Sequence, residues 1–245
     1  MEAYEQYSKT VTSILSEVLA SQKNEIKIAA KELAKRVVRE GIIHLFGTGH
    51  SHMIVEEAFF RAGGLACTNA MLEPNLMLHH GAEQSSWLEK VEGFASVILD
   101  KYRVKAEDAV IIISNSGRNA VPIEMAIEAK KRGLYTIGLT SLQYKNEPSR
   151  HSSGKKLFEI ADMVIDNGSV IGDAVVEMGG GMKMGPTSTV VGAALVNGLL
   201  VQTAEELKTL GKVPPIIQSV NVDTQGAVER NRELIEHYSQ RVRLF

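Results

Sequence analysis

"IIISNSGRN", residues 111–119, decides how this chain folds. Three isoleucines follow Ala109 and Val110 without a polar interruption. An unbroken apolar run of that kind marks a strand covered on both faces. The run stops on Ser114, Asn115, Ser116, Gly117 and Asn119, and a helix is predicted over Ala120–Arg132, closed by Gly133. A buried strand that hands a cluster of small hydrogen-bonding residues to a helix start belongs to a parallel sheet. The cluster lies where such sheets bind ligands.

The same grammar occurs upstream. Ile42–Phe46 reads as a strand, Gly47-Thr48-Gly49 stops it, and a helix is predicted from Ser51 to Arg61. Further strands are predicted at Leu65–Thr68, Tyr135–Thr140 and Met163–Ile165. Helices are predicted over Ser86–Tyr102 and Thr187–Leu210, with a turn or two over Lys155–Ile160. Residues 69–85 show no period and read as a long loop, 141–154 as a polar loop and 168–186 as a glycine-rich loop. Strands alternating with helices imply right-handed crossovers. The expected fold is therefore α/β, a doubly wound, parallel five-stranded sheet flanked by helices, flavodoxin-like or Rossmann-like. Periodic apolar positions over 4–40 and 227–241 add helices at both ends. One domain is expected over 1–245, with a helical segment at 1–40, an α/β core at 41–210 and an extension at 211–245.

Composition narrows the partners. The chain has 245 residues, 44% hydrophobic and 23% charged, which suits a globular protein with a substantial core. Its formal net charge of -2 gives no basic excess, so no nucleic-acid partner is expected. Cys67 is the one cysteine, which fits a reducing cytosol, and the amino terminus MEAYEQYSKT lacks the pattern of a secretory leader. The richest apolar segment, Val190–Val201, is short and carries Asn197, so no membrane span is expected. A cytoplasmic protein is the expectation.

Two loops follow strands and open helices, Gly47-Thr48-Gly49-His50-Ser51 and Ser114-Asn115-Ser116-Gly117. Helix starts carry unpaired N–H groups and partial positive charge, glycines admit a ligand close to the backbone, and serines add donors. That combination holds an anion, most often a phosphate. Helix capping by Ser116 or Asn119 is the simpler use of the same residues. A dinucleotide fingerprint fails, because His52 occupies its third glycine position and no acidic residue ends the next predicted strand. No Gly-Lys-Ser/Thr occurs either, so a nucleotide-triphosphate loop is excluded.

The pair Gly-x-Gly-x-Ser and Ser-x-Ser-Gly resembles a sugar isomerase (SIS) domain. Residues 87–141 are similar in layout to phosphoheptose isomerase. The chain more closely resembles the UPF0309 group of SIS proteins, with "IIISNSGRNAVPIEMA", "RHSSGKKL" and "MGPTSTVVGA" as the most distinctive runs. The resemblance implies a phosphorylated sugar as ligand, held by Ser114, Ser116 and the amides around Gly117. It implies that Gly47, Gly49, His50 and Ser51 hold phosphate or sugar hydroxyls. Asn119 stands where SIS loops often carry Thr or Ser. The resemblance also implies a homodimer or homotetramer.

An aldose–ketose phosphosugar isomerase is the leading expectation. The alternatives are a non-catalytic phosphosugar sensor and a SIS enzyme of another type, such as an etherase or deaminating isomerase. Isomerisation needs a base to carry a proton between neighbouring carbons and an acid for ring opening. Glu57 follows the first loop. Phosphoheptose isomerase and the muramic acid phosphate etherases place a glutamate about one turn further on, where this chain has Phe60 and Arg61. Glu177 precedes three glycines and the helix start at Thr187 and Ser188, a region from which SIS enzymes recruit active-site groups. His79 sits in the long loop and is the candidate acid. His44 reads as a core residue, His151 as a surface residue and Lys155-Lys156 as a solvated face. Neither His50-x-His52 nor His79-His80 matches a closed zinc pattern, so neither metal nor cofactor is expected.

Overall fold

The computed structural model describes residues 1–222 and 224–245. Five strands, β1 (Ile43–Gly47), β2 (Thr68–Met71), β3 (Ala109–Ile113), β4 (Tyr135–Thr140) and β5 (Met163–Asp166), form one parallel sheet in the order β2-β1-β3-β4-β5. This is the flavodoxin order of a doubly wound fold, with its switch point between β1 and β3.

The strands read as apolar runs because both faces are covered. Ile43, Leu45, Ile111, Ile113, Ile137 and Leu139 belong to one buried cluster, and Phe46, Val110 and Ile112 to the other. Helices α1 (Ala3–Ser21), α2 (Lys23–Val38), α3 (Ser51–Ala58) and α8 (Ser188–Thr209) contribute to the first cluster. Helices α5 (Phe94–Asp100), α6 (Ala120–Lys131) and α7 (Leu157–Ile160) contribute to the second. Alternate side chains of one strand thus enter two cores, which is the physical meaning of an uninterrupted isoleucine run.

Several boundaries differ from expectation. The helix predicted over Ser86–Tyr102 is two elements, α4 (Ala82–Leu88) and α5, parted at Gly93, whose φ is +83° and whose N–H is held by the Glu124 carboxylate. The second strand lies three residues later than predicted. Leu65 bridges Ile216 antiparallel, and the strand proper includes Asn69, a poor strand former that is fully buried between His44 and the chain end. The glycine-rich loop 168–186 contains an antiparallel hairpin of β6 (Ala174–Gly179) and β7 (Met182–Pro186), its turn formed by successive positive-φ glycines. The helical segment 4–40 divides at Gln22 into α1 and α2.

Helix α8 also corrects the reading of Val190–Val201. Its 22 residues are long and apolar enough, by length and composition alone, to cross a membrane. Its buried stripe, Val191, Leu195, Leu199 and Leu207, instead packs on α2 and α3.

Beside β1, His44 is enclosed as expected. Its Nε2 lies 3.2 Å from Asp108, its Nδ1 accepts from Asn69, and burial holds its pKa below the ordinary value. Both carboxylate oxygens of Asp108 accept from Nη2 of Arg241 (2.8 and 2.7 Å) and Oδ1 also accepts from the Ile42 N–H, fastening the segment after α9 (Ala227–Tyr238) to the sheet. Lys156 is not on a solvated face. It is buried, and its ammonium group donates to the carbonyls of Lys145 and Glu147.

Candidate functional site

The loops after β1 and β3 meet at the switch point. Gly47 is required there by contact, since a Cβ would lie 2.7 Å from the Ser51 carbonyl oxygen. Strand end and helix start are therefore pressed together. The Gly49 N–H donates to the Leu76 carbonyl, which also accepts from the Ser85 hydroxyl, so the first loop is braced by the segment between β2 and α4. In the second loop Gly117 takes φ +60°, its N–H donates to Ser114 Oγ, and its carbonyl accepts from Leu157. Asn115 is clamped by Asn167 Nδ2 and its carbonyl accepts from the Ser141 N–H.

Between the loops lies a cavity of about 260 Å³. Gly49, His50, Ser51, Ser114, Asn115, Ser116 and Asn119 line it, with Thr48, Leu78, Ser85, Ser86, Glu89 and Tyr144. Gly47 and Gly117 shape the loops without lining the cavity. Among the described residues, the hydroxyls of Ser51, Ser86 and Ser116 bond to no protein group, so three donors face the space uncommitted. The cavity has no lysine or arginine in its wall. An anion there would be held by neutral donors and by the starts of α3 and α6.

Glu89 is the carboxylate of this cavity, and the sequence reading missed it. Its Oε1 accepts from Asn119 Nδ2 at 2.7 Å and its Oε2 from Thr48 Oγ1 at 2.9 Å, so it bridges both loops. Burial raises its pKa above the usual carboxylate value, and the Thr48 hydroxyl and the charges of Lys90 and Arg150 offset this only in part. Arg150 donates to the other end of the Asn119 amide at 3.2 Å. A helix running unbroken over 86–102 would put Glu89 in its first turn. In the fold it is the carboxyl cap of α4, turned inward before the break at Gly93. The one hint in the sequence is Gly93 within an otherwise helical pattern.

The three candidate catalytic residues do not line the cavity. Glu57, on α3, pairs with Arg61 just beyond that helix and accepts from Asn197 of α8. Glu177 is exposed on the hairpin and pairs with Lys183 at 3.1 Å. His79 is exposed on the turn Leu78–His80, its ring 6.0 Å from that of His52. Thr187 and Ser188 are committed elsewhere. Asp173 accepts from the Thr187 N–H (2.9 Å), the Ser188 N–H (2.8 Å) and the Ser188 hydroxyl (2.5 Å), so the protein supplies its own anion at this helix start. Burial opposes the charge of Asp173, but these donors and the Ser169 hydroxyl outweigh it and hold its pKa below the ordinary value.

His151, read as a surface residue, has a buried side chain facing Glu124 at 3.5 Å and Glu92 at 3.9 Å. The three offer ligand atoms within 4.8 Å of one another. Both carboxylates are already engaged, Glu92 by the Ser152 N–H and hydroxyl and Glu124 by the Gly93 N–H. The grouping ties the loop before α7 to the connection between α4 and α5 and to α6.

A doubly wound sheet with serine-rich loops at its switch point defines a class, and the family comparison agrees: the SIS domain model matches residues 6–141, and the chain belongs to that family. Within it the chain is a UPF0309 protein. It is 45% identical over 240 residues to a UPF0309 protein of Geobacillus thermodenitrificans, covering 97% of this chain and 96% of that one. Among solved structures, the phosphoheptose isomerase of Neisseria gonorrhoeae superposes with a TM-score of 0.53 at 15% identity, covering 84% of this chain and 97% of that one. The NanR protein of Vibrio vulnificus complexed with ManNAc-6P gives 0.51 at 14% identity, covering 98% and 69%. At such identities these likenesses show the fold.

Proposed function

We propose that this protein binds a phosphorylated sugar at the switch point and interconverts its aldose and ketose forms. The observation that carries the reading is Glu89, a half-buried carboxylate of raised pKa in a cavity otherwise lined mainly by hydroxyls, amides and backbone N–H groups. The phosphate accepts hydrogen bonds from Ser51, Ser116 and the N–H groups of both loops. Neutral, preorganised donors suffice because helix starts already carry positive potential. The sugar then extends toward Glu89. Its carboxylate takes the proton from the carbon beside the carbonyl and returns it to the neighbouring carbon of the enediol. Tyr144 Oη accepts from the Gly172 N–H at 2.9 Å, which leaves its own O–H to donate to the substrate oxygen. A base with a pKa raised toward the working pH suits this role. The neighbours described as a phosphoheptose isomerase and as a ManNAc-6P complex support the ligand class.

The same reading takes residues 1–245 as one SIS domain working in the cytoplasm as a homodimer or homotetramer. Exposed Met53, Phe60, Val190 and Val201 on and beside α3 and α8 support association. Light scattering on the purified protein measures it.

A thermal-shift screen of sugar phosphates against their parent sugars tests the ligand. A ligand at about 100 times its Kd adds about 2.7 kcal/mol to the native state. Incubation in heavy water then tests the reaction, because an isomerase exchanges the carbon-bound proton. Binding without exchange makes the protein a sensor. Stabilisation by dinucleotides alone overturns the reading of both loops.

A further inference from the structure

We propose that a second cavity, between the connection from α5 to β3 and the segment after α9, is a binding site for a small phosphate-bearing anion. This cavity of about 320 Å³ is lined by Lys101, Arg103, Arg241 and Arg243, with Tyr102 and the polar Ser239 and Gln240, and by no carboxylate. Four cations surround one space in a chain whose formal net charge is -2.

Two of the four are neutralised within the fold. Arg241 pairs with Asp108 through Nη2, and Lys101 pairs with Glu73. The other two have no acidic partner among the described residues. Arg103 reaches only the Gln240 carbonyl, at 3.4 Å, and Arg243 lies over the Tyr102 ring, 5.4 Å from its centroid. Guanidinium groups offer a planar fork of donors matched to phosphate oxygens, and an anion between Arg103 and Arg243 relieves their mutual repulsion. The Tyr102 ring holds the Arg243 guanidinium in place before a ligand arrives. The volume sits at the small end of ligand cavities, which favours a phosphate ester or diphosphate over a long chain.

The site is separate from the switch point. Asp108, which anchors Arg241, precedes the first residue of β3, whereas Ser114 follows its last. The two cavities share no lining residue.

Calorimetric titration with inorganic pyrophosphate tests the proposal on Ser116→Leu protein, in which the switch-point cradle is blocked. One pyrophosphate is expected to bind. Adding Arg103→Gln and Arg243→Gln is expected to weaken it about tenfold or more, the scale of a lost charge-assisted contact. Both arginines are exposed, so melting is expected to stay unchanged. In the otherwise native chain the same double substitution removes one equivalent of bound pyrophosphate, and this does not depend on the Ser116 variant folding. No uptake by the Ser116→Leu protein, or equal affinity after the arginine substitutions, overturns the proposal.

Discussion

Glu89 Oε1 accepts a hydrogen bond from Asn119 Nδ2 at 2.7 Å, joining the end of α4 to the loop after β3. The same carboxylate reaches Thr48 in the loop after β1. A residue far from either loop motif therefore sets the spacing of both. It is also the carboxylate nearest to where a sugar held by its phosphate would extend.

Glu89→Gln preserves shape and removes the base. The Thr48 hydroxyl can reverse to accept from the new amide, so the loops stay in register. Solvent exchange of the substrate proton is expected to fall about 10²–10⁴-fold, the usual range for loss of a general base. Affinity for the sugar phosphate is expected to change little. NMR of substrate in heavy water measures the first and thermal shift the second. Undiminished exchange would remove Glu89 from the reaction.

The raised pKa of Glu89 fixes the sign of two pH dependences. The base works as carboxylate, so exchange is expected to rise with pH through a midpoint above the ordinary glutamate value of about 4.3. Stability moves the other way. The native state holds this proton over a window where the unfolded chain has lost it. The contribution of Glu89 is present below the unfolded pKa and is lost as pH rises through the folded pKa. Urea unfolding across that window is expected to show this fall in the native chain and a flatter profile in Glu89→Gln.

Gly117→Ala addresses the cradle itself. Its φ of +60° disfavours any side chain, and a Cβ would lie 2.6 Å from Thr140 Oγ1. The backbone conformation alone costs about 1–2 kcal/mol, and displacement of Thr140 adds to it. Thr140 Oγ1 donates to the Asn115 carbonyl, so the disturbance passes into the loop. Chemical denaturation is expected to show a loss of about 2 kcal/mol, with sugar-phosphate stabilisation reduced as well. A variant as stable as the parent would show that the loop accommodates the methyl group.

The sheet and its two loops were legible because their signals are local. Ile111–Ile113 and Ile42–Phe46 announce two-sided burial by themselves, and Ser116 and Gly49 announce a helix start by type. What failed depends on distant partners. Asn69 belongs to a strand because His44 and Arg243 bond to it, and neither is near in sequence. Glu89 faces the cavity as the cap of α4, which stops at Leu88, while Gly93, held by Glu124, starts a separate helix, α5, and Asn119 and Thr48, distant in sequence, hold the Glu89 carboxylate. Thr187 and Ser188 offer hydroxyls at a helix start as the other two loops do. They differ because Asp173, fourteen positions before Thr187, folds back onto them.

That internal anion makes the last prediction. Asp173 has φ +64°, a conformation asparagine also adopts readily, so Asp173→Asn removes the charge with little backbone strain. The amide loses the attraction of a carboxylate for the start of α8 and weakens its bonds from Thr187 and Ser188. A loss of about 1–2 kcal/mol at neutral pH is expected. The folded pKa of Asp173 lies below the ordinary value, so its stabilisation is present above the unfolded pKa and is lost as pH falls through the folded one. The gap between native and variant in urea unfolding is therefore expected to close as the pH drops below about 4. Sugar-phosphate binding is expected to be unchanged, because this helix start already holds its anion. A variant that gains affinity for phosphate would instead show that Asp173 keeps a third anion site closed.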